Sequence, residues 1–182
     1  DKLSTNLILA KNKFEIENSV NNQSLNIQFE PVFLEILNLI FDYELENSNT
    51  KNSNFPGIDG IDLKNKKMVQ ITSTFSFEKI ESTINQILKN NFYNDFEELY
   101  FIFLKGKKKL NRDSIDKIEK LINGKFKFNV KENCIDPIDI YRLLTTSPDF
   151  EKAIKSNKLL ENVLFGFNNN SNDRFDYIGL SF

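Results

Sequence analysis

The sequence predicts an α/β fold built around a mixed sheet of four or five strands flanked by helices. Three observations lead there. Leu99–Leu104 (LYFIFL) is an almost unbroken apolar run of strand-forming residues, as a central strand buried on both faces requires. Two short strand-like pieces flank the polar turn Lys64-Asn65-Lys66-Lys67, the pattern of a hairpin. Several segments around them repeat apolar residues at helical spacing.

The elements follow in order. Residues 3–20 carry Leu3, Leu7, Ile8, Phe14, Ile16 and Val20 at mixed helical spacing and predict a first helix, interrupted by Asn21–Ser24. Residues 29–43 predict the strongest helix. Phe29, Val32, Phe33, Ile36, Leu37, Leu39 and Ile40 form a broad apolar face. Pro31 suits the first turn of that helix, where a missing N–H leaves nothing unpaired. Residues 46–54 read as a polar loop. The hairpin spans Ile58, Ile61 and Leu63 on one arm and Met68, Val69 and Ile71 on the other. A helix follows over 77–91, with Ile80, Ile84, Ile87 and Leu88 on one side. After the 99–104 strand, residues 112–122 predict an amphipathic helix stopped at Gly124. Residues 125–130 alternate and read as a strand. Residues 137–145 and 148–164 read as helices, 168–173 as a linker, and 174–182 as an edge strand or a partner contact. The organisation expected is one domain over 1–165 and a linker with a C-terminal tail over 166–182.

Composition narrows the chemistry. A 40% share of hydrophobic residues in 182 supports one real core, and the 18 Phe make aromatic packing its main ingredient. No apolar stretch approaches the ~18 residues of a membrane span, and the one near Leu7 is too short for a signal peptide. The sequence does not start with Met and reads as part of something longer. Cys134 is the only cysteine, so no intrachain disulfide forms; a buried thiol and a reducing, cytoplasmic location are expected. There is no His, which removes Ser-His-Asp and Cys-His catalysis, imidazole-bound zinc and a His general base. Carboxylates, Lys, Tyr or a hard cation must carry any chemistry. A formal charge of −2 argues against standing tight affinity for nucleic acid while leaving room for a local basic groove.

The hairpin supplies the candidate site. If Asn65 and Lys66 form the tip, Leu63 faces Met68, Ile61 faces Gln70 and Asp59 faces Thr72, which puts Asp59, Gln70 and Thr72 on one side. A three-residue turn would pair Asp62 with Gln70 instead. An Asp carboxylate, a Gln carbonyl and a main-chain carbonyl are hard donors for Mg²⁺, Mn²⁺ or Ca²⁺. Glu30 or Glu35 of the long helix would add another acid; solvent exposure on the polar face is the plain alternative for both.

Several blocks then resemble a known family. Phe29-Glu30 with Ile36-Leu37 downstream resembles the opening of restriction-endonuclease-like folds of the Mrr type, and Asp59…Gln70-Ile71-Thr72 resembles a variant PD-(D/E)xK motif. More closely, the chain is similar to the SMEK domain of bacterial multidomain proteins. The similarity runs through Glu30–Tyr43, Pro56–Leu63 (PGIDGIDL), Gln70–Ser73 (QITS), Lys79–Ile84 (KIESTI), the 99–104 strand and Ile135–Leu144 (IDPIDIYRLL), over roughly 25–165. The resemblance implies a restriction-endonuclease-like core and a Mg²⁺- or Mn²⁺-dependent endonuclease acting on nucleic acid, DNA rather than RNA. It further implies the effector role in a bacterial antiphage defence protein, with other domains of a larger chain, or a homo-oligomer, as partners. Glu30, Asp59 and Gln70 would hold the metal, with Glu35 and Asp62 as further acids. Thr72 stands where the usual Lys would be, and Lys79 on the next helix is its substitute. Lys64, Lys66 and Lys67, or Lys105, Lys107, Lys108 and Lys109, would steer phosphates. The alternative is a nuclease fold without catalysis that binds nucleic acid or a protein.

Overall fold

The computed structural model describes residues 1–19, 24–48 and 55–166. The expected linker and tail after Gly166 lie outside them. Helices α1 (Lys2–Ser19) and α2 (Ser24–Phe41) lead into strand β1 (Glu46–Asn47), then β2 (Gly60–Asp62) and β3 (Lys67–Thr72). Helix α3 (Phe77–Lys89) and a 3-10 turn at Phe92–Asn94 precede β4 (Glu98–Phe103). Helix α4 (Arg112–Ile122), the short α5 (Val130–Asn133), β5 (Cys134–Ile135), α6 (Pro137–Thr146) and α7 (Phe150–Phe165) complete the order. Among the described residues no helix is long and apolar enough to cross a membrane.

The five strands lie in sequence order, β1-β2-β3-β4-β5. The first two junctions are antiparallel and the last two parallel, so the predicted mixed sheet is present. Parity along β3 divides the core. Val69 and Ile71 face α1, α2, α6 and α7, with Phe14, Phe29, Phe33, Ile36 and Leu37 buried there. Met68 faces the other side, where Ile80, Ile84 and Ile87 of α3 and Ile118 and Ile122 of α4 pack. Strand β4 serves both layers: Ile102 belongs to the first, Leu99, Phe101 and Phe103 to the second.

Four expectations need correction. Pro31 lies well inside α2, because the helix begins at Ser24. It cannot donate to the Ile27 carbonyl, and the buried apolar face carries the helix past that loss. Glu46 and Asn47 are a short edge strand rather than loop, paired with Ile61 and Gly60. The alternating segment 125–130 contributes a single bridge, Glu98 to Lys127; the strand that joins the sheet is Cys134–Ile135. The hairpin register is slipped by two residues from the expected one: Ile61 pairs with Met68 and Asp62 with Lys67, across a longer turn. A slip of two preserves side-chain parity, so Asp59 remains on the Gln70 side.

Candidate functional site

Strand β2 stops pairing at Gly60, opposite Val69, while β3 continues to Thr72. The edge of β3 past that point is free of a partner strand, and Asp59 fills it with its side chain. The Asp59 N–H donates to Val69 O at 2.9 Å. Its Oδ2 then accepts the Ile71 N–H at 2.6 Å and Gln70 Nε2 at 2.5 Å. Gln70 Nε2 also donates to Ile71 O at 2.9 Å. The amide nitrogen therefore sits between two hard oxygens, Asp59 Oδ2 and the Ile71 carbonyl. The other end of that amide, Gln70 Oε1, is buried without a hydrogen-bond partner.

Glu30 arrives from the opposite layer through a close approach of helix to strand. Gly60 touches Leu34 so tightly that a Cβ there would collide with Leu34 Cδ2. Leu34 and Glu30 are four residues apart, one above the other on α2. Pressing Leu34 onto Gly60 thus sets Glu30 beside Asp59. Burial, and then the Asp59 charge, push the Glu30 carboxyl up to about 7. Burial also raises Asp59, against the Ile71 N–H bond and the Lys79 charge, which lower it. Lys79 occupies the first turn of α3, where its own N–H caps onto Ser76 Oγ at 3.1 Å.

Asp59 thus holds Gln70 directly, its charge is felt at Glu30, and the Lys79 charge is felt at Asp59. Thr72 lies on the same side of β3, nearly buried, its Oγ1 accepting the Thr74 N–H at 3.3 Å. The further acids fall elsewhere. Glu35 is exposed on α2, accepts from Asn38 at 3.3 Å and borders a hollow with Lys155 and Lys158 of α7. Asp62 is fully buried and braces the hairpin, accepting from Glu44 N at 2.7 Å and from Asn65 N and Nδ2 at 2.8 Å. Burial would raise its carboxyl, but these bonds outweigh it and hold it below the usual carboxylate range. The hairpin lysines are engaged too: Lys64 with Glu44, Lys66 with Glu97 at 2.7 Å and Lys67 with Glu98. Lys107 is tied to Asp139 at 2.5 Å and to Cys134 O at 2.8 Å, whereas Lys108 and Lys109 are exposed. Lys105 is half-buried beside Gly106. Cys134 is the buried thiol expected, pushed up to about 12 by burial and useless as a nucleophile at neutral pH.

A family description of the SMEK domain matches residues 2–145. The chain belongs to the SMEK domain family. The match starts at α1, earlier than the similar blocks that begin near residue 25, and stops within α6. Helix α7, beyond the match, packs on α1 and α2 of the SMEK domain. No curated protein matches the chain, and no solved structure does.

The donor set of this SMEK domain suits a hard cation. Among the described residues no three carboxylate or thiol side chains converge. The set available is two carboxylates, Glu30 and Asp59, with the Ile71 carbonyl and the orphaned Gln70 Oε1. These are all oxygens, as Mg²⁺ or Mn²⁺ prefer. Turning the Gln70 amide would replace Nε2 with Oε1 between the two oxygens that Nε2 now bridges. The structure places the expected main-chain carbonyl at Ile71 and adds one part that escaped the sequence reading, Gly60. A glycine between two acid-bearing Ile-Asp pairs was the available signal, because glycine within a strand marks a close backbone approach.

Proposed function

We propose that this SMEK domain is a Mg²⁺- or Mn²⁺-dependent endonuclease that hydrolyses phosphodiester bonds, in DNA rather than RNA. The observation that carries the reading is the convergence of Glu30, Asp59 and Gln70 from three elements, with Gln70 Oε1 buried and unpartnered. Glu30, Asp59, Gln70 Oε1 and the Ile71 carbonyl would hold the metal ion. A bound ion would polarise the scissile phosphate and lower the pKa of a water beside it. Lys79, whose charge is already felt at Asp59, would offset negative charge on the phosphate. Thr72 carries no charge and, with its hydroxyl turned to the Thr74 N–H, orients the end of β3. The resemblance adds the setting of a cytoplasmic effector module in a bacterial antiphage defence protein.

The test is incubation of plasmid and of single-stranded DNA with Mg²⁺ or Mn²⁺, comparing wild type with Asp59→Ala and Gln70→Ala. Cutting by the wild type alone supports the reading; equal cutting by all three points to a contaminant and ends it. A second reading, a nuclease fold that binds without cutting, is favoured by Thr72 in the place of the motif lysine. Titration calorimetry separates the two: Mn²⁺ heat that depends on Asp59 favours the enzyme.

A further inference from the structure

A second hollow lies outside the Glu30–Asp59–Gln70 cluster. It is a cleft of about 650 Å³, within the usual size range of small-ligand sites. The segments that follow all three parallel strands line it: Phe75 after β3, Lys107–Leu110 after β4, and Asp136 and Ile138 after β5. Open α/β sheets bind ligands at this end of their strands.

The lining has two parts. The floor is apolar and aromatic. The Phe75 ring meets the buried Phe103 edge-on at 4.6 Å, and Phe128 meets the buried Phe101 at 5.5 Å. The two outer rings, only partly buried, face the cleft. The rim carries five cations, Lys107, Lys108, Lys109, Lys131 and Arg142, against three carboxylates, in a chain whose net charge is −2. The carboxylates of α6 are committed: Asp136 caps Ile138 N and Asp139 N, and Asp139 is paired with Lys107 and Arg142. Among the described residues Lys108, Lys109 and Lys131 have no ion pair.

Uncommitted ammonium groups above a floor of phenyl rings match the two faces of a nucleotide, phosphate and base. We infer that this cleft holds one or two unpaired nucleotides, so that the SMEK domain selects single strands or frayed ends over continuous duplex. The bases of a duplex are already stacked and paired and do not offer their faces to a protein ring, whereas a free base stacks on phenyl rings whatever its identity. Phe75 lies three residues past Thr72, at most about 10 Å of chain, so the cleft and the end of β3 are near enough for one strand to reach both. The inference rests on nucleic acid being the substrate, and its test needs no hydrolysis.

The measurement is fluorescence anisotropy in EDTA, with a labelled 20-base DNA strand, the same sequence as duplex, and an abasic strand of equal length. Wild type is expected to bind the single strand at least tenfold tighter than either competitor. Ile138 is 65% exposed, so Ile138→Glu spares the core while placing a negative charge in the cleft. It should weaken single-strand binding tenfold or more. The triple variant Lys108→Ala, Lys109→Ala, Lys131→Ala should lower the salt slope by about 2, at roughly 0.7 per phosphate contact. Duplex or abasic strand binding as tightly as the single strand overturns the inference, as does unchanged binding by Ile138→Glu with native circular dichroism. Preserved, cleft-dependent binding without any cutting by wild type would end the proposed hydrolysis and leave the cleft assignment standing.

Discussion

Glu30 is the residue whose state sets the site. Its carboxyl titrates near 7, so at pH 6 a cation must displace a proton from it, and at pH 8 it need not. Mn²⁺ affinity should therefore rise about fivefold from pH 6 to pH 7 and only about twofold more to pH 8, following the ionised fraction of one carboxyl. Calorimetry at pH 6, 7 and 8 checks this, and Glu30→Gln should bind more weakly and flatten the profile. Gln70 gives the opposite kind of test. In Gln70→Glu a carboxylate replaces the amide that now bridges Asp59 and Ile71 O, so attraction becomes repulsion. The variant should melt below wild type without metal and gain more from Mn²⁺ in a thermal-shift series. A smaller Mn²⁺ gain than wild type would count against Gln70 as a ligand. Asp59 and Gln70 were readable in the sequence because strand parity survives a two-residue slip. The part played by Asp62 was not. A buried Asp bracing a turn and a buried Asp holding a cation look alike until the donors around them are known.

The elements differ in how much of themselves they wrote locally. Helix α4 is found at Arg112–Ile122, the span its apolar spacing predicts, closed by Asn123 and Gly124 at positive φ. Strand β5 was missed because only its parallel pairing with Phe101 and Ile102 makes Cys134–Ile135 a strand. Residues 125–130 alternate more convincingly, yet they pair once. The junction of α2 with β2 is the element-scale contact on which the site depends. Gly60→Ala should overpack Leu34 and cost about 1–3 kcal/mol, read from urea unfolding. Because the strain lies between the helix and the strand, it should also weaken Mn²⁺ binding by moving Glu30 off Asp59. Adding Leu34→Ala should recover metal binding even where it adds its own packing loss. Failure of Gly60→Ala to change metal binding would separate the helix position from the site.

At the scale of the molecule, the sheet separates two apolar layers, and the proposed ion binding would be coupled to folding through one carboxyl pair, Glu30 and Asp59. The sign can be worked out. Glu30 in the folded chain titrates near 7, above the ordinary 4.5, so the folded state holds the extra proton between those values. Its contribution to stability is complete at the acid end and is lost as pH climbs from about 4.5 to about 7. The raised Asp59 carboxyl acts in the same direction. The metal-free protein should accordingly lose melting temperature between pH 5 and pH 8, and Glu30→Gln should lose less. Added Mg²⁺ binds the ionised carboxylates, so its stabilisation should be small at pH 5 and large at pH 8. It would reach about 2.7 kcal/mol at a hundred times the dissociation constant. A scanning-calorimetry grid of pH against Mg²⁺ separates this from general ionic strength, since Na⁺ at equal strength would not reproduce it and Asp59→Ala would remove it. Equal Mg²⁺ stabilisation at both pH values would mean that the cation binds elsewhere than at Glu30 and Asp59.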